Sequence, residues 1–390
     1  MIKKEQGINT LCTHAGELED KEYKGAVSPL YMATSYAFED VEVKRYPRYF
    51  NTPNQKALAK KLAMLEHGED ALIFGSGMAA VSTSLMAFVQ KGDHVVFQKT
   101  LYGGTSNLIV EEFGKFGIEY SFTEDNSLES FEREIRENTK VIYIETPSNP
   151  LLTITDVEGI AGLAKKKQLV SMIDNTFASP VNQNPIDLGI DIVIHSATKY
   201  MGGHSDILAG AVIGSNEHIN QIFQMAKNFG GSLSDYTVWL LERSIKTMGI
   251  RVKAQNENAQ KVAEFLESQE SVSKVYYPGL PSHPDHELAK KQMKGFGGML
   301  SFELKDMDSS TFMKELKLIK PSMSLAGVES TILSPTKTSH ALLTAEEREE
   351  QGIKDGLMRF SVGIEEAEDI IADLQQALEE TKKDMLDIRI

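Results

Sequence analysis

Cysteine is nearly absent from this chain: Cys12 is the only one in 390 residues. A disulfide framework within one chain is excluded, and a cysteine-based metal site is disfavoured. Such usage fits a reducing compartment, so the expected location is the cytoplasm. Positive charge is also in short supply, with 41 Lys+Arg against 56 Asp+Glu and a formal net charge of −15. No local run of basic residues offsets that balance, which argues against nucleic acid or an anionic membrane as partner. The N-terminus MIKKEQGINT has no apolar stretch after its two lysines, so no secretory signal is expected. One uncharged stretch, Ala71–Gln90, has the length of a membrane span, about 20 residues. It contains Gly75-Ser76-Gly77 and Ser82-Thr83-Ser84, and reads better as a buried strand, a glycine turn and a core helix.

The chain does hold an alternation of short apolar runs and longer helical patterns. Strands are expected at Ala71–Phe74, His94–Gln98, Val141–Glu145, Leu169–Ile173, Ile192–His195 and Ala211–Gly214. Helices are expected at Met78–Val89, Ser106–Phe116, Leu128–Glu137 and Gly159–Lys167. The pattern predicts an α/β fold with a mostly parallel sheet and helices on both faces. Residues 1–55 lack the alternation and read as an extended N-terminal arm. A long helix is expected over Leu233–Met248, then a change of pattern to a helix at Lys253–Glu267, a turn, strands such as Met299–Glu303, and a last helix at Glu366–Asp387. The expected domains are 56–248 and a smaller α+β domain over 249–390.

Chemistry concentrates at three strand ends. After Asp191–Ile194 comes His195-Ser196-Ala197-Thr198-Lys199-Tyr200-Met201-Gly202-Gly203. In an extended chain Ser196 and Thr198 share a face and can cradle a phosphate, with Lys199 emerging at the strand end. A lysine beside hydroxyls and glycines suits a pyridoxal phosphate enzyme, in which the amine joins the cofactor aldehyde. Gly75-Ser76-Gly77-Met78 follows another strand and opens a helix whose N–H groups suit an anion. It also matches a dinucleotide fingerprint loosely, but the next strand ends in Gln98-Lys99 rather than in an acid, which weakens a nicotinamide reading. At a third strand end, the Asp174 carboxylate can hold a protonated ring nitrogen. Taken alone, each motif also has a plain structural reading, a solvated loop lysine, a tight turn after a core strand, and an N-cap or turn aspartate; their order within one parallel-sheet pattern favours the cofactor site.

With these residues in view, the sequence resembles the cystathionine/methionine-metabolism (trans-sulfuration) family of pyridoxal phosphate-dependent enzymes, which have the aspartate-aminotransferase-like fold. The matching segments are Ser76-Gly77-Met78, Leu101-Tyr102-Gly103-Gly104-Thr105, Glu145-Thr146-Pro147-Ser148-Asn149-Pro150, Asp174-Asn175-Thr176-Phe177, Ser196-Ala197-Thr198-Lys199-Tyr200 and Arg359-Phe360-Ser361-Val362-Gly363. His14-Ala15-Gly16, Gly25-Ala26-Val27 and Thr338-Ser339-His340 fit as well. The resemblance implies that Lys199 binds the cofactor covalently and moves protons, that Asp174 holds the ring nitrogen, and that Tyr102 stacks on the ring. It implies that Gly77, Met78, Ser196 and Thr198 hold the phosphate, with Asn149 near the ring oxygen. Arg359 would take the substrate carboxylate in a bidentate fork, in a pocket lined by Ser324 and Thr338. Tyr46 and Arg48 would reach the phosphate of a neighbouring subunit, which implies a homo-oligomer, a dimer of dimers.

The family's Asn-Pro-Thr after that pair appears here as Asn51-Thr52-Pro53-Asn54, a local departure. Other departures bear on the substrate. Met323 stands where γ-synthases and γ-lyases acting on cystathionine often have a glutamate. Gly104 stands where methionine γ-lyases tend to have a cysteine, and Ser106-Asn107 where cystathionine γ-lyases often have an arginine. These tilt the expected activity toward cystathionine β-lyase, ahead of cystathionine or methionine γ-lyase, and then of a γ-synthase or O-acylhomoserine sulfhydrylase. A catalytically inactive binding protein of the same fold is the rival from another class. His283-Pro284-Asp285-His286 lacks a further clustered ligand, and no metal is expected.

Overall fold

Runs of β-branched and aliphatic residues bounded by glycine and proline build the first sheet. The computed structural model describes residues 6–338, 348 and 352–387. By internal contacts the chain divides into two units, Met1–Glu145 with Thr155–Gly249, and Thr146–Ile154 with Ile250–Ile390.

The first unit holds β1 (Asp70–Phe74), β2 (His94–Phe97), β3 (Glu119–Phe122), β4 (Thr139–Glu145), β5 (Val170–Asp174), β6 (Ile192–His195) and β7 (Gly210–Gly214). Their order is β1-β7-β6-β5-β4-β2-β3. All neighbours pair in parallel except β7, which is antiparallel to both β1 and β6. The carboxyl ends of β1, β4, β5 and β6 therefore meet at one edge of the sheet. In a mostly parallel sheet this edge is where ligands bind. Residues in register on parallel strands share a face, so Tyr143, Met172, Asp174 and Ile194 point to one side. That side is covered by the helix Gly77–Phe88 through Ala80, Val81 and Leu85. His195, one residue on, points to the other side.

Several elements differ from the sequence expectation. β3 reads too polar to stand out, since Glu119, Tyr120 and Ser121 interrupt its apolar pattern, and it forms as an edge strand beside β2. The helix Pro53–Glu66 begins inside the stretch read as an arm. Its start is a capping box, Thr52 with Gln55, and Pro53 occupies the first helical position. The departure at Asn51-Thr52-Pro53 is thus a helix entry, and Asn51 Oδ1 accepts from Tyr46 N at 2.9 Å. A short helix, Ile8–His14, buries Cys12, whose carbonyl accepts from the buried Lys61 Nζ at 2.9 Å. Gly16 follows at φ +67°, and a Cβ there would stand 2.5 Å from Ala57 O. That close approach explains the glycine of His14-Ala15-Gly16. The helix expected over Leu233–Met248 is Asp235–Ile245, and a new helix, Met248–Glu267, starts three residues later.

The second unit has a sheet in the order β10-β11-β12-β9-β8, from β8 (Val272–Tyr276), β9 (Met299–Leu304), β10 (Lys320–Pro321), β11 (Thr331–Leu333) and β12 (Leu357–Ser361). It is antiparallel apart from the β10–β11 pair. The helices Met248–Glu267 and Ala367–Asp387 supply its core through Val262, Leu266, Ile370 and Leu374, against Leu300, Phe302 and Phe360. The segment Thr146–Ile154, which directly follows β4, belongs to this unit. Among the described residues no helix is long and apolar enough to cross a membrane. No group of three or more His, Cys, Asp or Glu there is placed to hold a metal ion.

Candidate active site

At the carboxyl edge of the first sheet, three turns meet. Ser76 caps the helix Gly77–Phe88, its Oγ accepting from Ala79 N at 3.0 Å. The N–H groups of Gly77 and Met78 lie in the first turn, where the helix supplies no acceptor. N–H groups so placed, at the positive end of the helix dipole, suit an anion. A Cβ on Gly77 would stand 2.9 Å from Ser196 Cβ and 3.0 Å from Ser196 Oγ. The glycine is what allows the serine so close to the helix start. Gly210, opening β7, is in the same position: a Cβ there would overlap Ser76 O.

Beyond His195 the chain does not continue extended. Lys199 N donates to Ser196 O at 3.1 Å, Gly202 N to Ala197 O at 2.8 Å and Gly203 N to Lys199 O at 2.7 Å. The expectation that Ser196 and Thr198 converge by strand alternation is therefore corrected: a tight turn presents them. Thr198 Oγ1 donates to Ala209 O and accepts from Ala209 N, each at 3.1 Å, which pins the turn against the approach to β7. Ser196 N donates to Thr176 Oγ1 at 2.8 Å, tying the ends of β5 and β6 together. Lys199 is half-buried in this turn.

Asp174 ends β5 and is 8% exposed. Thr176 N donates to its Oδ1 at 3.0 Å. Burial pushes this carboxyl above its ordinary value, while the bonds from Thr176 and the charge of His195 pull the other way. A buried carboxylate in this state favours a cation placed opposite it. Tyr102 precedes the helix Gly103–Phe116, and its N–H donates to Glu145 Oε2 at 2.7 Å. A Cβ on Gly104 would stand 2.6 Å from Tyr102 Cε1 and 3.1 Å from Met78 Sδ, so the ring, the thioether and the glycine share one surface. Glu145 sits in a motif already noted, but nothing in the sequence points to its bond with the backbone of Tyr102.

In the second unit, Arg359 lies on β12 and is 6% exposed. Its Nη1 donates to Asn149 Oδ1 at 3.2 Å and its Nη2 to Ser324 O at 3.2 Å. Both arms of the guanidinium are thereby oriented. Ser324 holds φ +79°, in the left-handed region, and its carbonyl accepts from Arg359. Thr338 Oγ1 donates to Ser334 O at 2.7 Å, in the turn that leaves β11. Ser339 and His340 lie outside the described residues. Tyr46 and Arg48 belong to the first unit, where Arg48 Cζ sits 5.7 Å from the Tyr46 ring centroid and 5.2 Å from that of Tyr49. Arg48 Nη1 donates to Lys227 O at 2.5 Å, near the end of the helix Asn216–Phe229.

Pyridoxal phosphate fits this donor set. Helix-terminal N–H groups and Ser196 suit its phosphate, a buried carboxylate suits a protonated ring nitrogen, an aromatic face suits the ring, and a lysine amine suits the aldehyde. A sequence model of the Cys/Met metabolism PLP-dependent enzymes matches residues 9–379. The chain belongs to that family. It is a pyridoxal phosphate-dependent enzyme, and its relatives include lyases of several specificities. It is 45% identical over 377 residues to a cystathionine beta-lyase of Lactococcus lactis, covering 95% of this chain and 99% of the relative. It is equally 45% identical, over 375 residues, to a cystathionine gamma-lyase of Bacillus subtilis, covering 95% and 98%. The crystal structure of cystathionine gamma-lyase from Lactobacillus plantarum complexed with L-serine superposes with a TM-score of 0.93 at 40% identity, covering 97% of this chain and all of that one.

Proposed function

We propose that this enzyme is a carbon–sulfur lyase that cleaves cystathionine by β-elimination to homocysteine, pyruvate and ammonia. The observation that carries the lyase reading is the buried Asp174 at the strand end beside the turn of Lys199, in one unit with the helix start at Gly77. The cofactor, when bound, supplies an aldehyde for amine exchange and a ring that takes up the electrons left at the substrate Cα. Lys199 would hold the cofactor by its aldehyde, and the lysine amine, when free, would take the α-proton of the bound substrate. The Asp174 carboxylate accepts the ring N–H and keeps that nitrogen protonated. Tyr102 covers the ring face. Gly77 and Met78 N–H and Ser196 would hold the phosphate, while the Thr198 hydroxyl, expected there too, is engaged with Ala209 and pins the turn. Arg359, oriented by Asn149 and Ser324 O, would bind the α-carboxylate in a bidentate pair. The Cβ–S bond then breaks with the electron pair leaving on sulfur, a proton converts it to the thiol of homocysteine, and one water releases pyruvate and ammonia.

The preference for the β-position rests on residue 323. Met323 is 71% exposed and offers no carboxylate beside Ser324. The equal identity to a gamma-lyase supports the second reading, cleavage at Cγ to cysteine, 2-oxobutyrate and ammonia. Product analysis with cystathionine separates the two. Pyruvate with homocysteine supports β-elimination, and 2-oxobutyrate with cysteine overturns it in favour of the γ-lyase. If Lys199→Ala, folded by circular dichroism, produces either pair at the normal rate, the lyase reading itself fails.

We also propose a homo-oligomer in which Tyr46 and Arg48 complete the phosphate site of a second copy. Support comes from their exposure and from the apolar exposure of the same segment, including Tyr31, Met32 and Phe38.

A further inference from the structure

Glu66 ends the helix Pro53–Glu66 with its side chain fully buried. Its Oε1 accepts from Asn175 Nδ2 at 2.9 Å and lies 2.5 Å from His195 Nε2. Its Oε2 is buried with no hydrogen-bond partner among the described residues. Burying a carboxylate with one oxygen unsatisfied is unfavourable, and an apolar residue of the same size would avoid that cost. Core packing therefore does not account for an acid here, so the arrangement of its donors carries the explanation.

The two donors stand on different strand ends. Asn175 directly follows Asp174, and its N–H also donates to Ile194 O at 2.9 Å. Its side chain exchanges two further bonds with Gln183, Nδ2 to Gln183 O and Gln183 Nε2 to Oδ1, each at 3.0 Å. His195 directly precedes Ser196 and the turn that carries Lys199. Ser196 N bonds to Thr176 Oγ1 on the Asp174 side. The ends of β5 and β6 are thus joined twice beyond their strand pairing, once by Thr176 and Ser196, and once through a single oxygen of Glu66.

We propose that Glu66 is a positioning residue for the cofactor. By accepting from Asn175 and His195 with one buried oxygen, it sets the spacing of the two turns that present Asp174 and Lys199. This inference rests on the reading of Asp174 and Lys199 as the residues that hold the cofactor. The hydrogen bonds of Glu66 go to Asn175 and His195, so its effect on chemistry passes through the two turns. Residues that orient ligating groups in this indirect way are worth roughly 10–100-fold in affinity or activity in metal sites, and the geometric reason is the same here.

The test compares Glu66→Leu, which removes the acceptor, with Glu66→Gln, which keeps an oxygen for the same donors. Each is measured as apo chain for pyridoxal phosphate affinity and as holoenzyme for the visible circular dichroism of bound cofactor, kcat and KM. Glu66→Leu is expected to weaken cofactor binding and lower kcat, each about tenfold, to alter the dichroic band, and to leave KM within about twofold. Glu66→Gln is expected to recover most of each loss. A distant core variant, Leu163→Ala, matched for loss of thermal stability, is expected to keep wild-type affinity and dichroism. The proposal is overturned by wild-type values in Glu66→Leu, by a Glu66→Gln no better than Glu66→Leu, or by the same losses in the matched core variant. If Glu66→Leu does not fold, Asn175→Ala is read by the same assays; reduced affinity with an altered band supports the proposal, and wild-type values overturn it. Asp174→Asn is run beside them. An impaired Asp174→Asn with a normal Glu66→Leu removes only this inference, whereas a normal Asp174→Asn removes the reading beneath it.

Discussion

Gly104 and the ring of Tyr102 are in closer register than any side chain permits: a Cβ on the glycine would stand 2.6 Å from Tyr102 Cε1. The backbone of Tyr102 is held by Glu145 at 2.7 Å, so the ring can answer an intrusion only by rotating about its own side-chain bonds. The residue at 104 therefore decides where the aromatic face lies.

From this follows a prediction for Gly104→Cys. The Tyr102 ring must swing away, and its contact with the Met78 side of the cradle loosens. The expected result is a cofactor affinity lowered by about tenfold, in line with about 0.5–1.5 kcal/mol for an aromatic contact. Fluorescence titration of the apo chain checks it. Unchanged affinity, with a crystal structure showing the ring unmoved, would contradict the argument.

Asp174→Asn separates stability from function. Burial raises the Asp174 carboxyl in the folded chain above its unfolded value. A group raised in this way contributes stability at pH below its unfolded value and loses it as pH rises through the folded one. At pH 7, well above the unfolded value, burial of this titratable carboxyl therefore costs the apo chain stability, and the neutral amide relieves this. Apo Asp174→Asn is expected to melt higher than the apo wild type at pH 7, by about 2–4 °C for each kcal/mol relieved. The gain should vanish near pH 4 and below, where the wild-type group is protonated too. In the holoenzyme the order reverses in activity, with turnover at least about 100-fold slower as the ring nitrogen loses its anionic partner. Calorimetry at two pH values and steady-state kinetics check the two halves independently.

Arg359→Lys tests the carboxylate site. The guanidinium is oriented by Asn149 Oδ1 and Ser324 O, each at 3.2 Å, and one ammonium cannot keep both and still present a fork. A rise in KM of roughly 10–100-fold is expected, the value of a charge-assisted hydrogen bond of about 1.5–3 kcal/mol. Cofactor affinity should stay within about twofold. A normal KM would remove Arg359 from substrate binding.

Subunit mixing tests the shared site. Arg48 stacks beside Tyr46 and Tyr49 on an exposed turn, and within its own chain it donates to Lys227 O. Lys199→Ala and Arg48→Ala are each expected to be inactive. Allowed to exchange, they should regain up to about a quarter of wild-type activity, because one composite site in a mixed pair has both intact residues. Mass spectrometry establishes the exchange. No recovery after proven exchange, or a fully active monomer by light scattering, would end the idea.

Lys199, Asp174 and Gly77 could be singled out from local pattern, because each ends or follows an apolar strand beside residues that permit a turn, whereas Arg359 could be singled out only through the family resemblance. Apolar runs between helical periods likewise determined a mostly parallel sheet, since strands covered on both faces have to be continuously hydrophobic. Local pattern failed where formation of an element depends on distant partners. β3 exists because β2 offers it an edge, and the helix at Pro53–Glu66 hides its polar residues, Lys61 and Glu66 among them, against Cys12 O and His195. The route of the chain past His195 was misjudged as extended because a turn closed by Gly202 and Gly203 looks, in sequence, like the continuation of a strand. Glu66 and Glu145 were invisible as site residues: one lies 129 positions from His195, the other 43 from Tyr102, and one-dimensional spacing carries no trace of either bond. Sequence by itself determined which chemical groups stand at strand ends, because that follows from periodicity and turn chemistry. Which buried acids hold those ends in place was decided only by the tertiary structure, because a hydrogen bond between distant segments depends on how helices are laid on the sheet and leaves no periodic signal.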